Sequence, residues 1–232
     1  MDLKDLKVLR DQLVKMSLNI LFDVGVKENW QNFLFYLESE RIYPDILINN
    51  AGFMLPFLKF DDYSDEQIEE IIATDFKAVI YATKTLFPLL KQSVCPTIIN
   101  ISSVAGKCAV VGQSMYCATK FAVKGFTETL QQEYGKKFYI AGIYPGFIRT
   151  NILHKMSDAD QKNSLIDKMM KPLDSAVDKM VKGIKRKKRA ISMGVDGKTI
   201  GTLVRFFPKT TAKAVTYGFK KSGLELFNED ND

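Results

Sequence analysis

The sequence predicts an α/β fold in three layers, a mostly parallel sheet with helices on both faces. Three observations lead there. Short apolar runs of strand type alternate with longer segments of helical period, the pattern of a parallel sheet connected by helices. Ile46-Leu47-Ile48 is a compact apolar run of the kind found in strands buried on both faces. The 232 residues, 46% apolar and 26% charged, suit one such domain with a sizeable core.

The elements follow in order. Leu3, Leu6, Leu9 and Leu13 recur at three-to-four spacing and predict an opening amphipathic helix. Leu18 to Phe22 reads as a short strand ending at Asp23, and Trp30, Phe33, Leu34 and Leu37 mark the next helix. Tyr43-Pro44 breaks that helix before the Ile46–Ile48 strand. Ser64-Asp65-Glu66-Gln67 is a capping box that opens a long helix through about Leu90, with Pro88 in its final turn. Thr97 to Ile101 is the next strand. A loop with Gly106 and Gly112 leads to a helix carrying Tyr116, Ala122, Phe126 and Leu130. Phe138 to Ile143 is a strand stopped by Pro145-Gly146, Ser157 to Lys171 is a polar insert, Asp174 to Lys185 is a helix, and Ala190 to Gly194 is a short strand. Residues 1–194 thus form the α/β body, and 195–232 a basic and aromatic extension with an acidic tail.

Composition narrows the function classes. The formal charge of +6 is modest, so nucleic acid is not an expected partner. The run Lys185-Arg186-Lys187-Lys188-Arg189 reads first as a solvated helix end, where cations suit the helix dipole. The extension, with Phe206, Phe207 and Lys213 to Lys221, could lie on a membrane surface or cover a cleft or subunit interface, and cover or interface is the favoured reading. No apolar run reaches the ~20 residues of a spanning helix. The three cysteines, Cys95, Cys108 and Cys117, have no metal-like spacing and read as reduced thiols of a cytoplasmic protein, and no metal site is expected.

Chemistry concentrates at three strand ends, where open α/β sheets hold ligands. Asn49-Asn50-Ala51-Gly52 follows the first, Ser102-Ser103-Val104-Ala105-Gly106 the second, and Pro145-Gly146-Phe147-Ile148-Arg149-Thr150 the third. Each alone is also ordinary turn chemistry. Tyr116 and Lys120 stand four apart on one helical face, which by itself is a common helix pair. With the Ser103 hydroxyl at a strand end, the phenol and ammonium form a set that can move a proton to or from a carbinol oxygen.

In this combination and order the chain resembles the short-chain dehydrogenase/reductase family. The matching motifs are Asn49-Asn50-Ala51-Gly52, Ser103, Tyr116-x-x-x-Lys120, and Pro145-Gly146 followed by Thr150. The resemblance runs from about Leu18 to Gly194 and implies a Rossmann-like fold. It also implies NAD or NADP as cofactor and a small-molecule carbonyl or alcohol as substrate. Tyr116 would be the general acid/base, Lys120 would lower its pKa and hold the nicotinamide ribose, and Ser103 would orient the substrate oxygen. Asn50, Ala51 and Gly52 would line the adenosine pocket, Asp23 would contact adenine, and Pro145, Gly146, Ile148 and Thr150 would contact the nicotinamide. The resemblance further implies a homo-oligomer built on the helices beginning near Asp65 and Tyr116.

Two departures qualify that expectation. Where the family usually has an Asn supporting a proton relay, alignment of Ile71 to Phe76 places Asp75. A carboxylate accepts hydrogen bonds but cannot donate while ionised, so Asp75 is expected as an altered fourth member of the catalytic set. The family's glycine-rich turn of T-G-x-x-x-G-x-G type is absent from the sequence. The chain therefore reads as N-terminally truncated, without the first two strands and first helix. Two arrangements of the sheet are then open. The Leu18–Phe22 strand could lose its neighbour and leave the Ile46–Ile48 strand with a raw apolar edge, or the two could pair directly. The alternative function is a non-catalytic relative that binds no cofactor and associates with a full-length paralogue.

Overall fold

The structure, a computed structural model, describes residues 18–150, 152, 168, 170–193, 201 and 203–227. Four strands form its sheet: β1 (Ile46–Asn49), β2 (Thr97–Ile101), β3 (Tyr139–Tyr144) and β4 (Ala190–Ser192). They lie in the order β1-β2-β3-β4, every neighbouring pair parallel. Parallel strands need crossover connections, and here each crossover carries helix. Helix α1 (Lys27–Ser39) precedes β1. Helices α2 (Asp65–Ile72) and α3 (Ala78–Leu90) join β1 to β2, α4 (Ser114–Tyr134) joins β2 to β3, and α5 (Leu173–Lys185) joins β3 to β4. Helix α6 (Pro208–Ser222) follows the sheet.

Strand alternation decides which side chains each layer receives. Leu47, Ile98 and Ile140 point to one face and pack beneath Trp30 and Leu37 of α1, Leu86 and Leu90 of α3, and Leu130 of α4. Ile99, Ile143 and Ile191 point to the other face, where Ala176, Met180 and Ile184 of α5 cover them. The register Ile46↔Thr97 and Ile48↔Ile99 places Ile46 and Ile48 on this second face as well. Both remain more than half exposed, at 55% and 54%.

The expected Leu18–Phe22 strand does not form. Those residues join no ladder, and Leu18 and Leu21 are exposed. A strand exists only through its neighbour's hydrogen bonds, and β1 gives its ladder to β2 alone. The segment is instead pinned by its aromatic end. Phe22 packs edge-on against Trp30 at 5.0 Å, and the Trp30 indole N–H donates to the Val24 carbonyl at 2.8 Å. Of the two arrangements the sequence left open, the described residues therefore show the raw β1 edge.

The capping box is present: the Gln67 amide N–H donates to Ser64 Oγ, and the Ser64 N–H to Gln67 Oε1. The helix it opens is not one continuous helix. A π turn at Ala73–Lys77 separates α2 from α3 and changes the phase at which side chains face inward. Pro88 sits in the last turn of α3, which ends at Leu90. The helix expected around residues 3–13 and the acidic tail 228–232 lie outside the described residues, as does most of the insert at 157–171.

A buried polar ladder fixes how the strands meet the helices. Asn49 Nδ2 donates to Asn100 Oδ1 at 2.8 Å and to Thr83 Oγ1 at 3.2 Å, while Asn100 Nδ2 donates to Thr127 Oγ1 at 2.9 Å. It ties β1 and β2 to α3 and α4 and leaves these buried amides paired, as burial requires. The basic run after α5 is used in the fold. Lys185 ends the helix, and Arg189 donates to the Gly135 carbonyl at the end of α4.

Ile98 is fully buried and Ile48 largely exposed, so the two isoleucines should respond differently to substitution. Ile98→Ala is expected to cost about 2–5 kcal/mol in urea unfolding. Ile48→Lys should change stability by less than about 0.5 kcal/mol and reduce association in light scattering, because a charge on an open edge opposes strand addition.

Candidate functional site

The site assembles where the ends of β1 and β2 meet the first turns of α4 and the π turn. Ser103 leaves β2 in extended backbone and caps the 3-10 turn Val104–Gly106, its Oγ accepting from the Ala105 N–H. That turn lies close against α4. The Ser102 hydroxyl donates to the Lys120 carbonyl at 2.8 Å, and a Cβ on Gly106 would come within 2.5 Å of the same carbonyl. Glycine at 106 is thus a requirement of close packing. The Pro145 carbonyl accepts from the Val104 N–H at 2.8 Å, which joins the Pro-Gly turn after β3 to the serine turn after β2.

Tyr116, in the first turn of α4, is 4% exposed and packs with Phe53, Phe57, Cys117, Phe219 and Leu224. Phe219 belongs to α6, and its ring stands 5.6 Å from Phe57 and 6.3 Å from Phe147. The C-terminal helix therefore covers the apolar side of the tyrosine.

One turn along α4, Lys120 is equally buried. Its Nζ lies 2.9 Å from Asp75 Oδ2 and 5.4 Å from the centre of the Tyr116 ring. Asp75 is fully buried on the π turn, and its Oδ1 accepts from the Phe53 N–H at 3.0 Å. Gly52 closes over the pair. A Cβ there would stand 3.0 Å from Lys120 Nζ and 3.2 Å from both Asp75 oxygens.

These neighbours set the protonation states. Burial pushes the Tyr116 phenol above its ordinary value. The Lys120 charge pulls it down, the Asp75 carboxylate pushes it up, and a hydrogen bond from Ser103 pulls it down. The sequence expectation that Lys120 lowers this pKa describes one real contribution, but desolvation outweighs it and the net direction is upward. Burial would lower the Lys120 amine, yet the Asp75 carboxylate and Tyr116 hold it above its usual value. Burial raises the Asp75 carboxyl, opposed by Lys120 and the Phe53 amide. The amine so raised and the carboxyl meet at 2.9 Å as an ion pair.

Of the residues singled out from sequence, Ser103, Tyr116, Lys120, Asp75, Gly52 and Pro145 come together here. Of the others, Asn50, Ala51, Gly146, Ile148 and Thr150 lie exposed or half-exposed after β1 and β3, and Asp23 is exposed ahead of α1. Asp23 Oδ1 accepts from the Gly25 N–H in a local turn, and Ile148 bridges to Lys171. Two participants were not foreseen. Asn49 is a framework residue of the buried ladder rather than a ligand-facing one. Gln113, fully buried, donates from Nε2 to the Leu55 and Pro56 carbonyls and fastens that loop to the start of α4. Glutamine is ordinarily a surface residue, so nothing in its spacing signals this role.

Gly52 lies against the Lys120–Asp75 pair and the Pro145 carbonyl holds the serine turn, so the ends of β1 and β3 border the place where the nicotinamide end of a dinucleotide would lie. A pyrophosphate is not provided for in the same way. The sequence has no glycine-rich turn to meet a pyrophosphate with backbone amides. Among the described residues, no group of three or more His, Cys, Asp or Glu side chains is placed to hold a metal, and no helix is long and apolar enough to cross a membrane.

A family model described as short chain dehydrogenase matches residues 5–161. The 3-oxoacyl-(acyl-carrier-protein) reductase FabG of Haemophilus influenzae is 30% identical over 148 residues, 63% of this chain and 60% of its own. The NADPH-dependent pterin aldehyde reductase of Arabidopsis thaliana is 26% identical over 150 residues, covering 64% of this chain and 62% of that one. Among solved structures, a short-chain dehydrogenase from Sphingobium yanoikuyae in complex with NADPH superposes with a TM-score of 0.63 at 25% identity, over 73% of this chain and 64% of that one. The chain spans about half to two thirds of the length of the first curated relatives it matches.

Lys120→Met would leave the Asp75 carboxylate buried without its counter-charge, and is expected to cost about 3–5 kcal/mol in urea unfolding. The Lys120 pKa is raised on folding, so its stabilising contribution is complete below 10.5 and is lost as pH rises through the higher folded value. The stability gap between parent and Lys120→Met should therefore hold from pH 7 to 10 and narrow at higher pH.

Proposed function

Because the chain belongs to the short chain dehydrogenase family, we propose that it is an oxidoreductase that uses NAD or NADP to interconvert a small-molecule carbonyl and a secondary alcohol, with Tyr116 transferring the proton. The observation that carries this reading is the burial of Tyr116 and Lys120 on one face of α4, with Ser103 beside them at the end of β2.

The nicotinamide, when bound, supplies or accepts the hydride. The chain's own residues supply the rest. Ser103 Oγ is placed to orient a substrate oxygen, a positioning role. Tyr116 is a phenol rather than a phenolate near neutral pH, because burial favours the uncharged form. The phenol donates a proton to the oxygen of a carbonyl as that oxygen gains negative charge, so the resting form suits reduction. In the reverse direction the phenolate must form first, and Lys120 is the cation nearest to stabilise it. Pro145, Gly146, Ile148 and Thr150 would border the nicotinamide, and Asp23, Asn50, Ala51 and Gly52 the adenosine. Phe57, Phe147 and Phe219 give the substrate side an apolar wall.

A second reading has its own observation. The β1 edge, open among the described residues and with Ile46 and Ile48 exposed, favours a relative that docks on a full-length paralogue and turns nothing over. Cofactor-dependent turnover separates the two. With NADPH or NADH and a panel of carbonyl compounds, Tyr116→Phe is expected to lower turnover by about 10²–10⁴-fold while leaving cofactor affinity within about twofold of the parent. Reduction in the parent should stay level through neutral pH and fall as pH rises through the elevated Tyr116 value, whereas alcohol oxidation should rise over the same range. Equal turnover in parent and Tyr116→Phe would defeat the assignment.

The missing pyrophosphate grip makes a separate expectation. Dinucleotide binding by these 232 residues should be weak in calorimetry, and fusing a strand, glycine-rich turn, helix and strand ahead of Met1 should strengthen it. Tight binding by the 232 residues alone would show that another element grips the phosphates.

A further inference from the structure

We propose that Asp75 is a brake on the site: it captures the Lys120 ammonium in a closed ion pair and so withholds from Tyr116 the positive charge that would favour its phenolate. The inference rests on the reading of Tyr116 as the proton-transferring group and concerns the regulation of that same site.

Geometry carries it. Lys120 has two neighbours that could use its charge, and it forms its ion pair with one of them. Its Nζ is 2.9 Å from Asp75 Oδ2 but 5.4 Å from the centre of the Tyr116 ring. The carboxylate is fixed independently of the lysine. The π turn carries it inward, and the Phe53 N–H holds its other oxygen at 3.0 Å. Gly52 seals the pair, leaving no room beside Nζ even for a methyl group without displacement. Both partners are at least 96% buried, so water screens little of their attraction.

Charge arithmetic then follows. A lone ammonium one helical turn from a phenol stabilises the phenolate. An ammonium in contact with a carboxylate is close to neutral when felt from the phenol, and the carboxylate itself repels a second negative charge. The titratable groups around the Tyr116 hydroxyl are Lys120 and Cys117 on its own helix and Asp75 on the π turn, and only Lys120 favours the phenolate. Asp75 offsets part of that one favourable charge. An asparagine at the same place brings no charge to cancel, and its single amide oxygen accepts from one of the two donors, Lys120 or the Phe53 N–H, that the two carboxylate oxygens now serve.

A purely structural ion pair would leave the phenol's ionisation unmoved when replaced by a folded neutral substitute, so that ionisation is the readout. With 3-fluorotyrosine placed at position 116, 19F NMR follows the phenol in a pH range where the fold persists. Asp75→Asn is expected to shift the midpoint down by about one unit or more, a rise of about tenfold in the ionisation constant. Asp75→Glu, which keeps the charge, should stay within about 0.3 units. Asp75→Ser serves as a second neutral variant and should move in the same direction as Asp75→Asn. An unchanged or raised midpoint in either folded neutral variant overturns the proposal. So does failure of both neutral variants to give a cooperative urea transition, because the carboxylate is then a structural requirement and not a brake. The titration reads no turnover, so loss of the oxidoreductase reading would show in Tyr116→Phe kinetics and leave this result standing.

Discussion

The molecule is organised around one buried ion pair. Lys120 and Asp75 come from elements far apart in sequence, the central helix after β2 and the π turn after β1, and neither charge could be left in an apolar interior alone. An uncompensated buried charge costs several kcal/mol, so the contact at 2.9 Å constrains both elements at once. Gly52 passes close over the pair, where a Cβ would press on Lys120 Nζ at 3.0 Å, and the end of β1 lies where that passage happens. The first turn of α4, with Tyr116, is placed by the same helix that carries the lysine. The tyrosine's position and electrostatic environment are thus consequences of where two charges had to meet.

Around this pair the molecule divides into a wet side and a dry side. Asn50 and Ala51 after β1 and Arg149 and Thr150 after β3 are open to solvent, while Phe53, Phe57, Phe219 and Leu224 enclose Tyr116. Parallel strands make the division possible, because their carboxyl ends all arrive at one edge and their turns can be polar without costing the core anything. The Asn49–Asn100–Thr127 ladder keeps β1 and β2 in register with α4, so the turns that follow those strands arrive at fixed heights relative to the helix. Gln113 and Tyr63 do the same for the opposite loop, holding the Leu55, Pro56 and Gly112 carbonyls.

Much of this was readable from residues alone, and the parts that were not share a cause. The strands at 97–101 and 46–49 announce themselves as apolar runs, and the Ser64–Gln67 box marks a helix start through a local bond. Tyr116 and Lys120 are one helical turn apart, so their common face is a matter of spacing. The π turn is different, since a continuous helical pattern from Asp65 to Leu90 does not reveal one extra residue per turn. That residue is what sends Asp75 inward to meet Lys120. Asn49 and Asn50 look alike in sequence, yet strand alternation buries the first and exposes the second. The Leu18–Phe22 segment has the composition of a strand, but strand formation depends on a partner that local composition does not describe.

The exposed β1 edge is the converse of the ion pair. There, two distant elements satisfy one another, whereas here an apolar strand meets no second neighbour among the described residues. Parallel sheets are stable when both faces are covered, and Ile46 and Ile48 lie on a face whose covering helix, α5, packs over Ile99, Ile143 and Ile191 instead. Asn50, Ala51 and Gly52 follow directly from β1, so a parallel strand docked along this edge would end beside them. The edge and the site are therefore neighbours, and whatever covers the one borders the other.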